Sequence, residues 1–166
     1  MHMHASVKLD AFACTCYGNG MRAYPSKAIV SAWARLLKAQ RTTLTSIEKA
    51  LKSAELPPLA WYDALLELER AEERGLRPFE LEREMLLSQY NLSRLIDRIE
   101  KAGYVERRAC KDDGRGQFID ITAAGKEIRR RIWNVYGPAI QEALGARLSE
   151  TEIADLSGLL GKLINK

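Results

Sequence analysis

The chain has 166 residues, 46% of them hydrophobic and 29% charged, the balance of a folded globular protein rather than a disordered or fibrous one. It has no run of about 18 apolar residues, which excludes a membrane-spanning helix. Its weakly charged start lacks the continuous apolar stretch of a secretory signal, so a cytoplasmic protein is expected. The formal charge of +4 is compatible with a nucleic-acid partner without requiring one.

Cys14, Cys16 and Cys110 are too few, and too irregularly spaced, for a disulfide framework, and they fit a reducing compartment. Cys14 and Cys16 stand closer together than the usual tetrahedral zinc pair, with no second pair downstream. His2 and His4 are the only histidines. Without an interior histidine, Ser-His or Cys-His catalysis and the common metal sites are hard to assemble. The expectation is a binding protein without cofactor or metal, not an enzyme.

In chain order, residues 1–24 carry no helical or strand period and are expected to form a flexible tail. Pro25 and Ser26 open a long amphipathic helix. Ile29, Trp33, Leu36, Leu37, Leu44, Ile47 and Leu51 recur at three- and four-residue steps, and Pro57-Pro58 stops the pattern after about Ala54. A second helix is expected over Leu59–Arg74, with Leu59, Tyr62, Leu65 and Leu66 inward and Gly75 as its left-handed stop. A short helix over 79–87 follows.

Ser88–Ala102 is the most informative stretch. Leu92, Leu95, Ile96 and Ile99 fall on one face, while Tyr90, Arg94, Asp97, Arg98 and Lys101 fall on the other. Ser88 suits an N-cap and Gly103 a C-cap. Two strand-like runs, 104–108 and 118–121, flank the turn-rich, charged connection 111–116, so a β-hairpin with a polar tip is expected. Thr122 should cap a helix bearing Ile128, Ile132, Tyr136, Ile140 and Leu144, bent at Gly137-Pro138. Ser149 and Glu152 form a capping box, stapled by Leu148 and Ile153, before a last helix striped with Ile153, Leu156, Leu159, Leu160 and Leu163.

Helix, helix, then hairpin with a basic tip is the order of a winged helix. The expected fold is therefore mainly α with a small β-hairpin wing. A winged helix-turn-helix domain would occupy 56–122, and 25–55 with 123–166 would make a helical dimerisation region. The apolar stripes of that region are too long for the small winged domain to cover, and an isologous dimer would bury each of them once.

The run Leu87 to Val105, containing Ser88-Gln89-Tyr90-Asn91-Leu92-Ser93-Arg94 and ending in Gly103-Tyr104-Val105, resembles the recognition helix and strand entry of the MarR family of regulators. Asp113-Gly114-Arg115, then Ile121-Thr122 and Gly125, is similar to the family's wing signature, with Gly114 in place of the first wing arginine. The resemblance covers roughly residues 25–165. It implies a homodimeric transcriptional regulator, most simply a repressor, that binds double-stranded DNA at an inverted repeat and is released by a small, often aromatic, effector.

A recognition helix needs one apolar face for its domain and one polar face for base edges in the major groove. Ser88, Gln89, Tyr90, Asn91, Ser93 and Arg94 are the expected base or phosphate contacts, with Arg94 foremost; Arg98 and Lys101 are placed on the backbone. The resemblance implies that Arg115 enters the flanking minor groove, while Asp113 holds the turn. It also implies an effector pocket between the helical region and the winged domain, for which Trp33, Trp61, Tyr62 and Trp133 are the aromatic candidates. Two other readings stay open: redox sensing by Cys14 or Cys16, and a protein-interaction module that binds no DNA.

Overall fold

A computed structural model describes residues 24–85, 89–109 and 116–164. Helix α1 spans Lys27–Ser53 and opens on Ser26, whose hydroxyl accepts from the Ile29 amide at 3.3 Å. At its other end the Leu56 and Glu55 amides bond back to the carbonyls of Leu51 and Lys52, at 3.0 and 3.1 Å. This double closure, with Glu55 left-handed at φ 55°, is a Schellman motif, and Pro57-Pro58 then prevents any continuation.

Helix α2 is shorter than the sequence pattern suggests. It spans Leu59–Arg70, and a separate 3₁₀ turn covers Glu72–Arg74. Gly75 is not an ordinary left-handed helix stop, because it sits at φ 65°, ψ 178°, a region that glycine alone occupies without strain. That conformation swings Leu76 beside Ile119, with which it exchanges two backbone hydrogen bonds of 3.1 and 2.8 Å. A Cβ at residue 75 would lie 2.3 Å from Asp120 Oδ1. The inward face also differs in detail: Leu59, Tyr62 and Leu65 are buried as expected, Ala64 and Leu68 join them, and Leu66 is half-buried.

Helix α3, Pro78–Met85, precedes α4, Gln89–Lys101. Strands β1, Val105–Ala109, and β2, Gln117–Ile121, pair antiparallel with Arg107 opposite Ile119 and Arg108 opposite Phe118. Helix α5, Ala123–Ile140, runs unbroken through Gly137 and Pro138 and widens into a π turn only at Gln141–Gly145. The irregularity thus falls after the expected Gly-Pro position. Helix α6, Glu150–Ile164, completes the described chain.

One core joins these elements. Leu51 of α1, Leu65 and Leu68 of α2, Leu81 of α3, Ile96 and Ile99 of α4, Ile119 of β2 and Ile132 of α5 are all fully buried. Each such side chain contributes about 1.5–3 kcal/mol of burial. Helix α5 packs on α1 and α2 and so carries the winged domain. In contrast, α6 buries no residue, and its main neighbour is the π turn before it. The N-terminal two thirds of α1 are equally bare, with Ile29, Val30 and Trp33 at least half exposed.

Candidate nucleic-acid interface

Helix α4 separates its faces as the apolar spacing requires. Leu92, Leu95, Ile96 and Ile99 are buried, and Asn91, Ser93, Arg94, Asp97, Arg98 and Lys101 are exposed. Its C-terminus closes as a second Schellman motif. Gly103, at φ 78°, donates to the Glu100 carbonyl at 2.8 Å, and Tyr104 donates to that of Ile99 at 3.1 Å. The end of α4 is also tied to the start of α5. Thr122 Oγ1 donates to the Gly103 carbonyl at 2.8 Å and accepts from the Gly125 amide at 3.0 Å. Gly125 passes so close to Tyr104 that a Cβ there would lie 2.1 Å from the Tyr104 carbonyl oxygen. Helix, hairpin and following helix are therefore locked at one point.

Asn91, Arg94, Asp97 and Arg98 line a depression of about 560 Å³ together with Leu95 and with Ala60 at the start of α2. Gln89 and Tyr90 occupy the first turn of the same helix. Lys101 lies at its other end. Ser88, Asp113 and Arg115 lie outside the described residues, as do Cys14, Cys16 and Cys110.

The sequence reasoning missed the means by which the hairpin is held to α4. Arg107 on β1 reaches back to two carboxylates one helical turn apart. Its Nη2 lies 2.6 Å from Asp97 Oδ1, and its Nη1 bonds Glu100. The strand alternation carried the signal: Val105 is buried, so Arg107 shares its side of the sheet, toward the helix. Arg108 faces the opposite way. It forks onto Asp120 at 2.9 and 3.2 Å and lies 5.1 Å from the Phe118 ring centre, which Arg77 approaches at 5.3 Å.

The start of α3 is fixed by another ionic cap. Glu80 accepts from the Arg77 amide and from Arg74 Nη1, both at 2.8 Å. These bonds, the backbone one first, hold its carboxyl below the ordinary value.

The four aromatic pocket candidates separate. Tyr62 and Trp133 stack at 5.9 Å between ring centres with a 19° interplanar angle, and Tyr136 meets both edge-on. Arg129 lies 5.9 Å from the Tyr62 ring centre and pairs with Glu69. Burial, with Asp63 nearby, raises the Tyr136 phenol above its usual range. Trp61, one residue from Tyr62, points elsewhere and meets Tyr104 edge-on at 5.9 Å. Trp33 stands 60% exposed on α1.

Comparison with known proteins gives this arrangement a relation. The family model described as "MarR family" matches residues 56–116, the segment from the approach to α2 through the hairpin. Sco3205, a MarR family transcriptional regulator from Streptomyces coelicolor solved in complex with DNA, superposes with a TM-score of 0.79 at 26% identity, covering 87% of this chain and 91% of that one. The segment 56–116 is thus similar to the MarR family, and the fold over most of the chain is that of a MarR family regulator. The transcriptional repressor MprA of Escherichia coli strain K12 is 31% identical over 103 residues, 62% of this chain and 58% of its own length. The multiple antibiotic resistance protein MarR of the same strain is 29% identical over 89 residues, 54% of this chain and 62% of its own. The chain thus matches less than two thirds of either curated relative. A cysteine-to-serine mutant of E. coli MarR complexed with operator DNA shares the MarR fold at a TM-score of 0.74 and 23% identity. Among the described residues no helix is long and apolar enough to cross a membrane.

Proposed function

We propose that this chain is a MarR-family transcriptional regulator that binds double-stranded DNA as a homodimer, reads an inverted repeat with α4, and acts as a repressor. The observation that carries the reading is α4 itself. Its apolar stripe is fully used by its own domain, while Asn91, Ser93 and Arg94 stand exposed on its first two turns beside a hairpin locked to its far end. That is the condition for a helix presented to the major groove. Ser88, Gln89 and Tyr90 are assigned to base or phosphate contacts as well. Arg98 and Lys101 are assigned to phosphates, Arg115 to the flanking minor groove and Asp113 to the turn that presents it.

Dimerisation is proposed through α1, the C-terminal part of α5, and α6. It is supported by the apolar side chains those helices leave bare, among them Trp33, Leu37, Leu159 and Leu163. An isologous pairing through these helices covers them and presents two copies of α4 about one helical turn apart. A small aromatic effector is proposed to act near Tyr62 and Trp133. The half-exposed Trp133 indole, stacked on Tyr62, offers a flat face to such a ring. Trp61 and Trp33 are proposed only as more distant contributors.

Selection of bound duplexes from a randomised library tests the reading. An enriched inverted repeat with half-site centres about 10 bp apart is expected. Enrichment of no sequence would overturn it.

A further inference from the structure

The basic excess of this protein does not lie in its winged domain. Residues 56–122 hold 11 Lys and Arg against 14 Asp and Glu, a formal −3, although the whole chain is +4. Helix α1 supplies the surplus. Lys27, Arg35, Lys38, Arg41, Lys49 and Lys52 face a single acid, Glu48. At 3.6 residues per turn the six cations fall within about 120° of arc, opposite the stripe that buries Ile47 and Leu51. All six are exposed, and among the described residues none is ion-paired. Two acids lie near the C-terminal end of α1: Glu48, whose Oε1 accepts from the Leu59 amide at 3.1 Å and caps α2, and Glu55, just past the helix, which shares a cleft with Lys49 and Lys52.

We propose that this cationic face of α1 is a second nucleic-acid surface, one that grips duplex phosphates without regard to sequence. The choice of DNA as occupant rests in part on the operator reading above, and three observations favour it. The stripe is about 37 Å long at 1.5 Å per residue, which is close to 11 bp of duplex axis. Its C-terminal end lies beside the start of α2: Lys49 and Lys52 line a cleft with Glu48, Glu55 and Pro58, and Ala60, just beyond, lines the depression formed with Asn91, Arg94 and Arg98. Between the cations stand only small or polar residues, Ser31, Ala34, Thr42 and Thr45. A helix that lies on lipid needs a free apolar face beside its charges; the exposed apolar side chains of α1, Ile29, Val30, Trp33, Leu37 and Leu44, belong to the stripe assigned above to the dimer seam.

A stripe of this kind supplies the attraction that an acidic winged domain lacks. It holds the protein on DNA of any sequence and leaves discrimination to α4. Each phosphate it neutralises steepens the salt dependence of binding.

The test compares wild-type protein with two variants of the full chain. Lys38→Gln/Arg41→Gln/Lys49→Gln/Lys52→Gln removes four cations from exposed positions and replaces them with a good helix former. Ala34→Glu/Thr45→Glu keeps every cation and places acids four residues before Lys38 and Lys49, an arrangement that supports the helix. Three probes are used over a range of salt: a random-sequence duplex several turns long, the operator selected from the library, and phosphatidylcholine vesicles with and without phosphatidylglycerol.

Both variants are expected to bind the random duplex on the order of tenfold more weakly, or worse, at low salt. The log–log salt slope of the four-cation variant is expected to shrink by about 0.9 for each phosphate that it no longer neutralises. Preference for operator over random duplex should rise. Unchanged random-duplex affinity and slope in both variants would overturn the proposal. So would loss of vesicle binding with duplex binding intact, which would assign the face to a membrane. If the wild-type protein holds random duplex through α1 but selects no sequence, the operator reading falls and this one stands.

Discussion

Arg107 Nη2 on β1 lies 2.6 Å from Asp97 Oδ1 on α4, and the same guanidinium also engages Glu100. One side chain therefore fixes the angle between the hairpin and α4, and it neutralises two acids that would repel phosphates at the proposed DNA contact. The Arg107 side chain is 29% exposed and that of Asp97 58%. The pair is thus partly screened by solvent. Arg107→Ala is expected to lower stability by only about 0.5–1 kcal/mol, visible as a small drop in Tm. Its larger effect should be on geometry, as faster amide exchange in β1 and weaker binding to the selected operator. Restoration of operator binding by adding Asp97→Asn and Glu100→Gln would assign the loss to uncovered acids. Failure to restore it would assign the loss to the hairpin angle.

Gly125→Ala is expected to destabilise the fold by about 1–3 kcal/mol, the range for forcing an added group into a packed site. The new Cβ would meet the Tyr104 carbonyl oxygen at 2.1 Å and Ile121 Cγ1 at 2.9 Å, so α5 must pull away from the junction of α4 and β1. Chemical denaturation measures the cost. By contrast, a Cβ at Gly158 meets nothing within 4 Å; Gly158→Ala should leave the monomer fold intact or raise its stability.

Arg94 and Arg115 should fail differently. Arg94→Ala is expected to lose about 1–3 kcal/mol per half-site and to relax preference at one symmetric base position. Arg115→Ala should weaken binding to all sequences more evenly and flatten the salt dependence. Binding of both variants to a randomised operator library at two salt concentrations separates these outcomes. Equal, sequence-blind losses would show that Arg94 grips only phosphate.

Leu159 and Leu163 of α6 stand 60% and 69% exposed. Leu159→Glu/Leu163→Glu should therefore leave the protomer folded but convert a dimer to a monomer. Sedimentation is expected to read about twice 18.7 kDa for the wild-type chain and the single mass for the variant. A wild-type monomer would remove the dimer from the proposal.

Glu80 should give the start of α3 a pH dependence. Its carboxyl titrates below its ordinary value because it accepts from the Arg77 amide and from Arg74. A depressed carboxylate stabilises the fold fully above its unfolded-state pKa, and that contribution fades as pH falls through the lower folded value. Glu80→Gln is accordingly expected to lower Tm near neutrality, and the difference from wild type should close in acid. A difference that persists below the carboxylate range would show that the contact is not ionic.

The sequence by itself determined several features that depend on neighbours within about one helical turn. The buried stripe Leu92, Leu95, Ile96 and Ile99, the helix start at Pro25-Ser26, the cap at Thr122, and the Ser149–Glu152 box, whose side-chain contacts measure 2.9 to 3.4 Å, all join residues no more than four apart or repeat at that spacing. Periodicity and capping chemistry are local, so the pattern of residue types suffices to set them. Tertiary structure decided whatever depends on a partner far along the chain. Gly75 abandons the helix-stop geometry because Leu76 finds backbone partners on Ile119. Trp61 and Tyr62, adjacent in sequence, part to meet Tyr104 and Trp133. Arg107 and Arg108, equally basic in sequence, take opposite sides of the hairpin, one to α4 and one to Asp120. In each case the residue type allowed several contacts, and only the packing of distant elements put one of them within reach.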